Sequence, residues 1–171
     1  MSLTIVKANT MIKITMKNLL ALASKFLPTQ TAYAHCDIPC GIYDPHNAQM
    51  AAHTVIRMTN LIKEAKDDVH KIARLTRVKE EHAELVKHEV RIIWGDYFKE
   101  ENLKDYPNLH GLVFKIMKLA SKAKQEVDLK TANELLSAVQ EFAENFWKSK
   151  GRQTVRVKSG YPTEGEIVLP K

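Results

Sequence analysis

Four amphipathic helical segments between Asp44 and Gly151 constrain the fold of this 171-residue chain more than any other feature. Within each segment apolar residues recur at spacings of three and four, which puts them on one face of a helix. Asp44-Pro45, Asp68 and Asp128 are typical helix starts, and Gly151 is a typical stop. The connections between segments are short. The sequence therefore predicts an all-α protein, an up-and-down four-helix bundle.

The second segment is predicted to be one long helix, from Asp68 to about Phe98. Its predicted buried face consists of apolar residues at helical spacing: Leu75, Val78, Leu85, Ile92 and Ile93. His82 falls on or beside that face, where a histidine is usually a hydrogen-bonded core residue. Aromatic residues are predicted to lie in the core or at a subunit interface. They are Trp94, Tyr97, Phe98, Phe146 and Trp147.

The first 34 residues differ from the rest of the chain, because they contain lysines but no acidic residue. Whether translation starts at Met1 or Met16, they end in Ala32-Tyr33-Ala34, an A-x-A cleavage pattern. The apolar stretch before it is short and is interrupted by Ser24-Lys25. We therefore expect a leader, residues 1–34, that a dedicated peptidase removes from a cytoplasmic protein. Export through a signal peptide is the alternative.

The segments after the leader are predicted to be a bundle over residues 35–150 and a tail over 151–171. Within the tail, Thr154–Lys158 alternates polar and apolar residues like a strand, and a small hairpin would fit the turn residues that follow. The net charge is +6, but lysines alternate with acidic residues along the helices. This pattern is typical of solvated helix faces, so no nucleic-acid partner is expected. No apolar run reaches the roughly 18 residues of a membrane span, so no membrane partner is expected either.

Both cysteines of the chain lie in the segment HCDIPCGIYDP, His35 to Pro45. Cleavage before His35 would bring its α-amine and imidazole next to the backbone nitrogen of Cys36 and the thiolates of Cys36 and Cys40. The amine and the next backbone nitrogen close a five-membered ring on a metal, and the thiolates complete a planar set of two nitrogens and two sulfurs. Planar coordination favours Ni(II) or Cu(II) over Zn(II). Pro39 and Gly41 favour a bent segment over a helix.

Spacing alone leaves three readings of the two cysteines open. They are a metal site, a local disulfide or a pair of reduced structural cysteines, and thiol redox catalysis. Spacing alone does not choose nickel.

The segment His35–Pro45 closely resembles the metal-binding hook that opens mature nickel superoxide dismutases. The resemblance continues through Glu84–His88, Trp94–Lys99, Tyr106–His110 and Phe146-Trp147. It implies a four-helix bundle with an N-terminal hook, assembled as a homohexamer with one nickel ion per subunit. It also implies a leader-processing peptidase as a partner and superoxide as the substrate. Superoxide would be converted to oxygen and hydrogen peroxide while nickel alternates between Ni(III) and Ni(II).

Residue by residue, the resemblance implies that His35 supplies its amine and an axial imidazole. Cys36 supplies its backbone nitrogen and thiolate, and Cys40 its thiolate. Asp37 and Tyr43 match residues beside the metal, with Tyr43 ordering the substrate pocket. Pro39 matches the hook's proline.

The chain departs from some family members at two positions. Those members carry a glutamate at Ala51 and an arginine at His82, a pair that steadies the axial imidazole. Here His82 is the candidate for part of that orienting role. Lys99 matches a family segment and is expected to attract superoxide. Two rival functions remain: a nickel-binding or nickel-delivery protein without turnover, and a secreted helical bundle with a Cys36–Cys40 disulfide.

Overall fold

The computed structural model describes residues 40–171, in which four α-helices form the predicted up-and-down bundle. The helices are α1 (His46–Glu64), α2 (Val69–Ile92), α3 (Leu109–Gln125) and α4 (Leu129–Ser149). Each helix packs against two others, in the closed order α1, α2, α3, α4 and back to α1. The core consists of the apolar stripes of the four helices, as amphipathic helices require. None of the helices in this described part is long and apolar enough to cross a membrane.

The predicted helix starts at Asp68 and Asp128 are confirmed by hydrogen bonds. The Asp68 side chain accepts from the Lys71 N–H at 2.9 Å, and Asp128 accepts from the Thr131 N–H at 2.9 Å. Helix α4 ends before Gly151, whose φ of +71° is a conformation that glycine adopts without strain. Helix α1 begins at His46, and the Asp44 side chain accepts the N–H of that residue at 2.7 Å.

The predicted buried face of α2 is largely wrong. The residues buried on α2 are Lys79, Ala83, Val86 and Val90. Of the predicted set only Ile93 is buried, and Leu85 is 36% exposed. The reason is that a lysine counts as polar in any hydrophobic pattern, so the stripe that contains Lys79 does not look apolar. The apolar residues beside that stripe form the stronger pattern although most of them are only half-buried.

Lys79 is buried because its ammonium group closes the C-terminal end of α3. Its Nζ donates to the carbonyl oxygens of Ala123, Lys124 (3.0 Å) and Glu126 (2.9 Å). The last carbonyls of a helix have no partner within the helix and carry partial negative charge, so a cation there is favourable. Burial nevertheless lowers the pKa of Lys79, an effect that the charge of Glu80 opposes.

The second helix is also shorter than predicted. The α-helical part ends at Ile92 and is followed by a π-helical turn, Ile93–Tyr97, rather than continuing to Phe98. A π turn inserts one residue per turn and so rotates the following side chains. The connection to α3 contains a 3₁₀ segment, Glu100–Lys104, and α3 begins at Leu109 rather than at Pro107.

The segment after α4 forms a two-stranded antiparallel hairpin. Strand β1 (Thr154–Lys158) is the strand that the sequence predicts, and it pairs with β2 (Glu166–Pro170), which the sequence did not identify. The hairpin packs against α4 and α1. Val168 is fully buried, so this tail is part of the folded protein.

Candidate metal centre

The predicted site residues lie partly outside the described part of the chain, whose first residue is Cys40. His35, Cys36, Asp37 and Pro39 lie outside the described residues, as does the predicted leader. Cys40 and Tyr43 lie within them, immediately before α1. Within residues 40–171 no group of three or more His, Cys, Asp or Glu side chains is placed to hold a metal ion.

Cys40 is exposed at a turn of the backbone. Its Sγ accepts a hydrogen bond from the backbone N–H of Ile42 at 3.4 Å. Gly41 between them has a φ of +73°, which confirms the prediction that glycine permits a tight reversal here. An N–H group directed at a sulfur stabilises negative charge on it and tunes the electron density that a thiolate gives to a metal.

Tyr43 is buried, with its ring against that of Tyr97. The ring centroids are 5.8 Å apart and the planes are inclined by 53°. Pro45 is buried as well, whereas Ile42 is 76% exposed. The chain therefore passes from an exposed thiol to a buried tyrosine within three residues, which anchors one end of the hook segment (residues 35–45) in the bundle.

Tyr97 is held in turn by α4. Its ring packs edge-on against Phe146, with the centroids 4.9 Å apart. The Ser149 hydroxyl donates its hydrogen to the Phe146 carbonyl at 2.7 Å. Because that hydroxyl has one hydrogen, the 2.9 Å contact between Tyr97 and Ser149 requires the tyrosine O–H to donate. The ring and the hydroxyl group of Tyr97 are therefore both held in place where this residue packs against Tyr43.

A positive charge lies at the same cluster of rings. The Nζ of Lys150 lies 5.4 Å from the ring centroid of Tyr97 and 4.7 Å from that of Phe146. Both distances are within the range of cation–π attraction. Lys150 follows α4 and is exposed, so its positive charge lies at the surface beside the Tyr97 ring against which Tyr43 packs.

The two positions at which the chain lacks the family's orienting pair, Ala51 and His82, are both on helices of the bundle. Ala51 is buried in α1. His82 is half-buried in α2, and its Nδ1 donates to the carbonyl of Val78 in the same helix at 2.8 Å. Because a carbonyl oxygen only accepts, this bond requires a hydrogen on Nδ1. The orienting role of His82 stays a prediction. The same holds for Lys99, which is exposed and precedes the 3₁₀ segment.

Two contributors to this region were missed by sequence reasoning. Tyr97 was assigned to the core or an interface, and its contact with Tyr43 depends on the π-helical turn, which no periodicity indicates. Lys150 lies at the C-terminal end of a helix, where a lysine is favourable without any role in a site. A signal for it existed, because a lysine one turn after Phe146-Trp147 lies beside those rings at a helix end.

The residues present fit a nickel ion. The chain offers two thiols and a histidine within six residues, and nickel accepts both sulfur and nitrogen donors. The thiol inside the described part is exposed and is supported by the N–H of Ile42. Hydrogen bonds of this kind orient a ligand and tune the metal that it binds.

The family model that matches the chain describes nickel-containing superoxide dismutase and covers residues 30–150. The chain is 39% identical over 129 residues to "Superoxide dismutase [Ni]" of Streptomyces seoulensis. It is 40% identical over the same length to that of Streptomyces coelicolor (strain ATCC BAA-471 / A3(2) / M145). Each match covers 75% of this chain and 98% of the relative.

Solved structures give the same result. The chain is similar to that of a native nickel superoxide dismutase structure, with a TM-score of 0.65 and 40% identity. It is equally similar, at 39% identity, to a nickel-containing superoxide dismutase with the ligation of the oxidised state. Both matches cover 68% of this chain and 99% of the solved chain. The hairpin after residue 150 lies beyond the family match.

Proposed function

Because the chain belongs to the nickel-containing superoxide dismutase family, a nickel-dependent oxidoreductase family, we propose the following account of its site. Cleavage before His35 frees the amine of that residue. His35, Cys36 and Cys40 then hold the nickel ion. When bound, nickel supplies the one-electron chemistry, alternating between Ni(III) and Ni(II). Two superoxide ions and two protons become one molecule of oxygen and one of hydrogen peroxide.

The remaining residues attract and position the substrate. Lys150, and by prediction Lys99, raise the local concentration of the superoxide anion through their positive charge. Tyr43, fixed by Tyr97, borders the site from the bundle side, and its hydroxyl is the proposed donor to the anion. Asp37 and Pro39 are proposed to shape the hook, and His82 to help orient the His35 imidazole.

The sequence His35–Pro45, with the exposed thiol of Cys40 at its turn, is the observation that carries this proposal. We further propose that the mature subunits form a homohexamer, as the resemblance implies, and that a peptidase processes the leader in the cytoplasm. The short, interrupted apolar stretch before Ala34 supports processing over export.

The proposal is tested with a chain that begins at His35, measured without metal, with zinc and with nickel. We expect superoxide removal with nickel only, and its loss in Cys40→Ser. Tight nickel binding without superoxide removal would favour the nickel-delivery function instead. An intact mass lower by two hydrogens, with no bound metal, would favour the disulfide-containing bundle.

A further inference from the structure

The hairpin presents one edge of β2 to the helices. The Ser159 N–H donates to the Gly165 carbonyl at 2.9 Å, and these two residues are opposite each other in the register of the strands. Because hydrogen-bonded and non-hydrogen-bonded pairs alternate in an antiparallel ladder, the backbone groups of Glu166 and Val168 point away from β1. A strand edge of this kind has unpaired donors and acceptors unless something covers it.

Side chains of α1 and α4 cover that edge. The Glu166 carbonyl accepts from Gln140 Nε2 at 2.6 Å and from His53 Nε2 at 3.1 Å. The Val168 carbonyl accepts from Gln49 Nε2 at 3.0 Å, and its N–H donates to Gln49 Oε1 at 2.7 Å. Gln49 is 0% exposed. Its amide group therefore bonds β2 as a neighbouring strand would.

Gln49 also belongs to the turn that connects α1 to the hook segment. Its backbone N–H donates to the Pro45 carbonyl at 3.2 Å, the first such bond of α1. Tyr43 precedes that proline by two residues, and Cys40 by five. A continuous path of hydrogen bonds and short chain segments thus runs from Val168 through Gln49 to the proposed metal ligand.

We propose that the C-terminal hairpin holds the first turn of α1 in place through Gln49 and thereby positions Cys40 and Tyr43 for the metal. Gln49 is a positioning residue in this account, which rests on the proposed function. In the proposed function all the metal ligands lie in the hook segment, and this segment joins the bundle at the start of α1. Fixing this first turn limits how far the ligands can move. The hairpin lies beyond residue 150, where the family match ends, and adds this restraint to the bundle that the match covers.

A purely structural role for the hairpin is the competing explanation, and Gln140 provides a matched control. It is buried, like Gln49, and its side chain also donates to an outward carbonyl of β2. However, it lies on α4, far along the chain from the hook. Loss of either glutamine should loosen the hairpin, whereas only loss of Gln49 should loosen the hook segment.

The test compares Gln49→Met and Gln140→Met in the chain that begins at His35, because methionine is similar in length but makes no such hydrogen bonds. Amide hydrogen exchange of the metal-free chains is measured over residues 41–52 and 165–170. Nickel affinity is measured by competition with a chelator, and the absorption spectrum of the nickel-loaded protein is recorded. Both variants should exchange faster over 165–170. Gln49→Met alone should exchange faster over 41–52, shift the spectrum and raise the nickel Kd about 10-fold, as loss of a residue that orients a ligand does.

Equal nickel affinities in the two variants would overturn the inference, as would a Gln49→Met Kd within about twofold of the parent, a margin well below that effect. If Gln49→Met does not fold, Gln49→Glu replaces it, since the carboxylate keeps the acceptor for the Val168 N–H but loses the donor. Gln49→Glu should then raise the nickel Kd more than Gln140→Met does. If the parent chain bound nickel without removing superoxide, the proposed function would fail. The comparison of nickel affinities would still decide this inference.

Discussion

Replacing Lys79 by methionine should destabilise the bundle by about 3 kcal/mol. Lys79 donates to three backbone carbonyls, and a hydrogen bond to a charged group contributes about 1.5–3 kcal/mol. The bond to Ala123 is buried, so its loss should have the full effect. Water can replace part of the bonds to Lys124 and Glu126, which are only part-buried, so each of these should contribute about 0.5–1 kcal/mol. Together the three bonds contribute about 2.5–5 kcal/mol, and the expected loss of about 3 kcal/mol lies in the lower part of that range.

Urea unfolding of the metal-free chain measures this change directly, provided the dependence on urea concentration is the same for both proteins. Lys71→Met is the matched control, because it removes an exposed lysine of the same helix. The control should change the free energy of unfolding by less than about 0.5 kcal/mol. A loss below about 1 kcal/mol in Lys79→Met, no larger than one ordinary neutral hydrogen bond, would refute the argument that the ammonium closes the end of α3.

Three further predictions concern acid, the hairpin and salt. The hydrogen bonds from the Thr131 hydroxyl and N–H lower the pKa of Asp128 from 3.8 to about 2. The stabilisation that Asp128 gives to the start of α4 is therefore complete above pH 3.8 and is lost as the pH falls toward 2. In Asp128→Ala the free energy of unfolding, measured over this pH range, should lack this dependence. Burial lowers the pKa of His53 from 6.5, against a hydrogen bond to the Glu166 carbonyl that raises it. The docked hairpin thus disfavours the charged ring, so hydrogen exchange over residues 165–170 should accelerate, relative to the intrinsic rate, as pH falls below 6.5. In His53→Gln this acceleration of exchange at low pH should be smaller. Superoxide removal at constant pH should slow as ionic strength rises, and Lys150→Met should weaken this dependence; a rate unaffected by salt would exclude electrostatic attraction.

The four helices were predictable because their signals are local. Asp68 and Asp128 cap helices by bonds within three residues, and Gly151 ends α4 through its own backbone conformation. These features depend on the neighbouring sequence and little on the rest of the fold. The resemblance of His35–Pro45 to a known hook is local in the same sense, and the comparisons confirm the family that it indicated.

Features that depend on distant contacts were not predictable. Lys79 is buried because three carbonyls at the end of another helix surround its ammonium. Gln49 and His53 are polar and so fall outside any apolar pattern of α1, yet they bond to a strand more than 100 residues later. Polar side chains gain such partners only when the whole chain has folded, so their burial leaves no hydrophobic pattern to detect.

We propose that cutting the Ala34–His35 bond creates the metal site. The most direct measurement compares two purified chains, one beginning at His35 and one at Ala34, each loaded with nickel. We expect the His35 chain to remove superoxide and the Ala34 chain to be slower by more than about 100-fold, beyond the usual effect of losing a residue that only supports a ligand. The reason is that one added alanine turns the terminal amine into an amide. Equal rates for the two chains would show that the metal site does not need the free amine of His35.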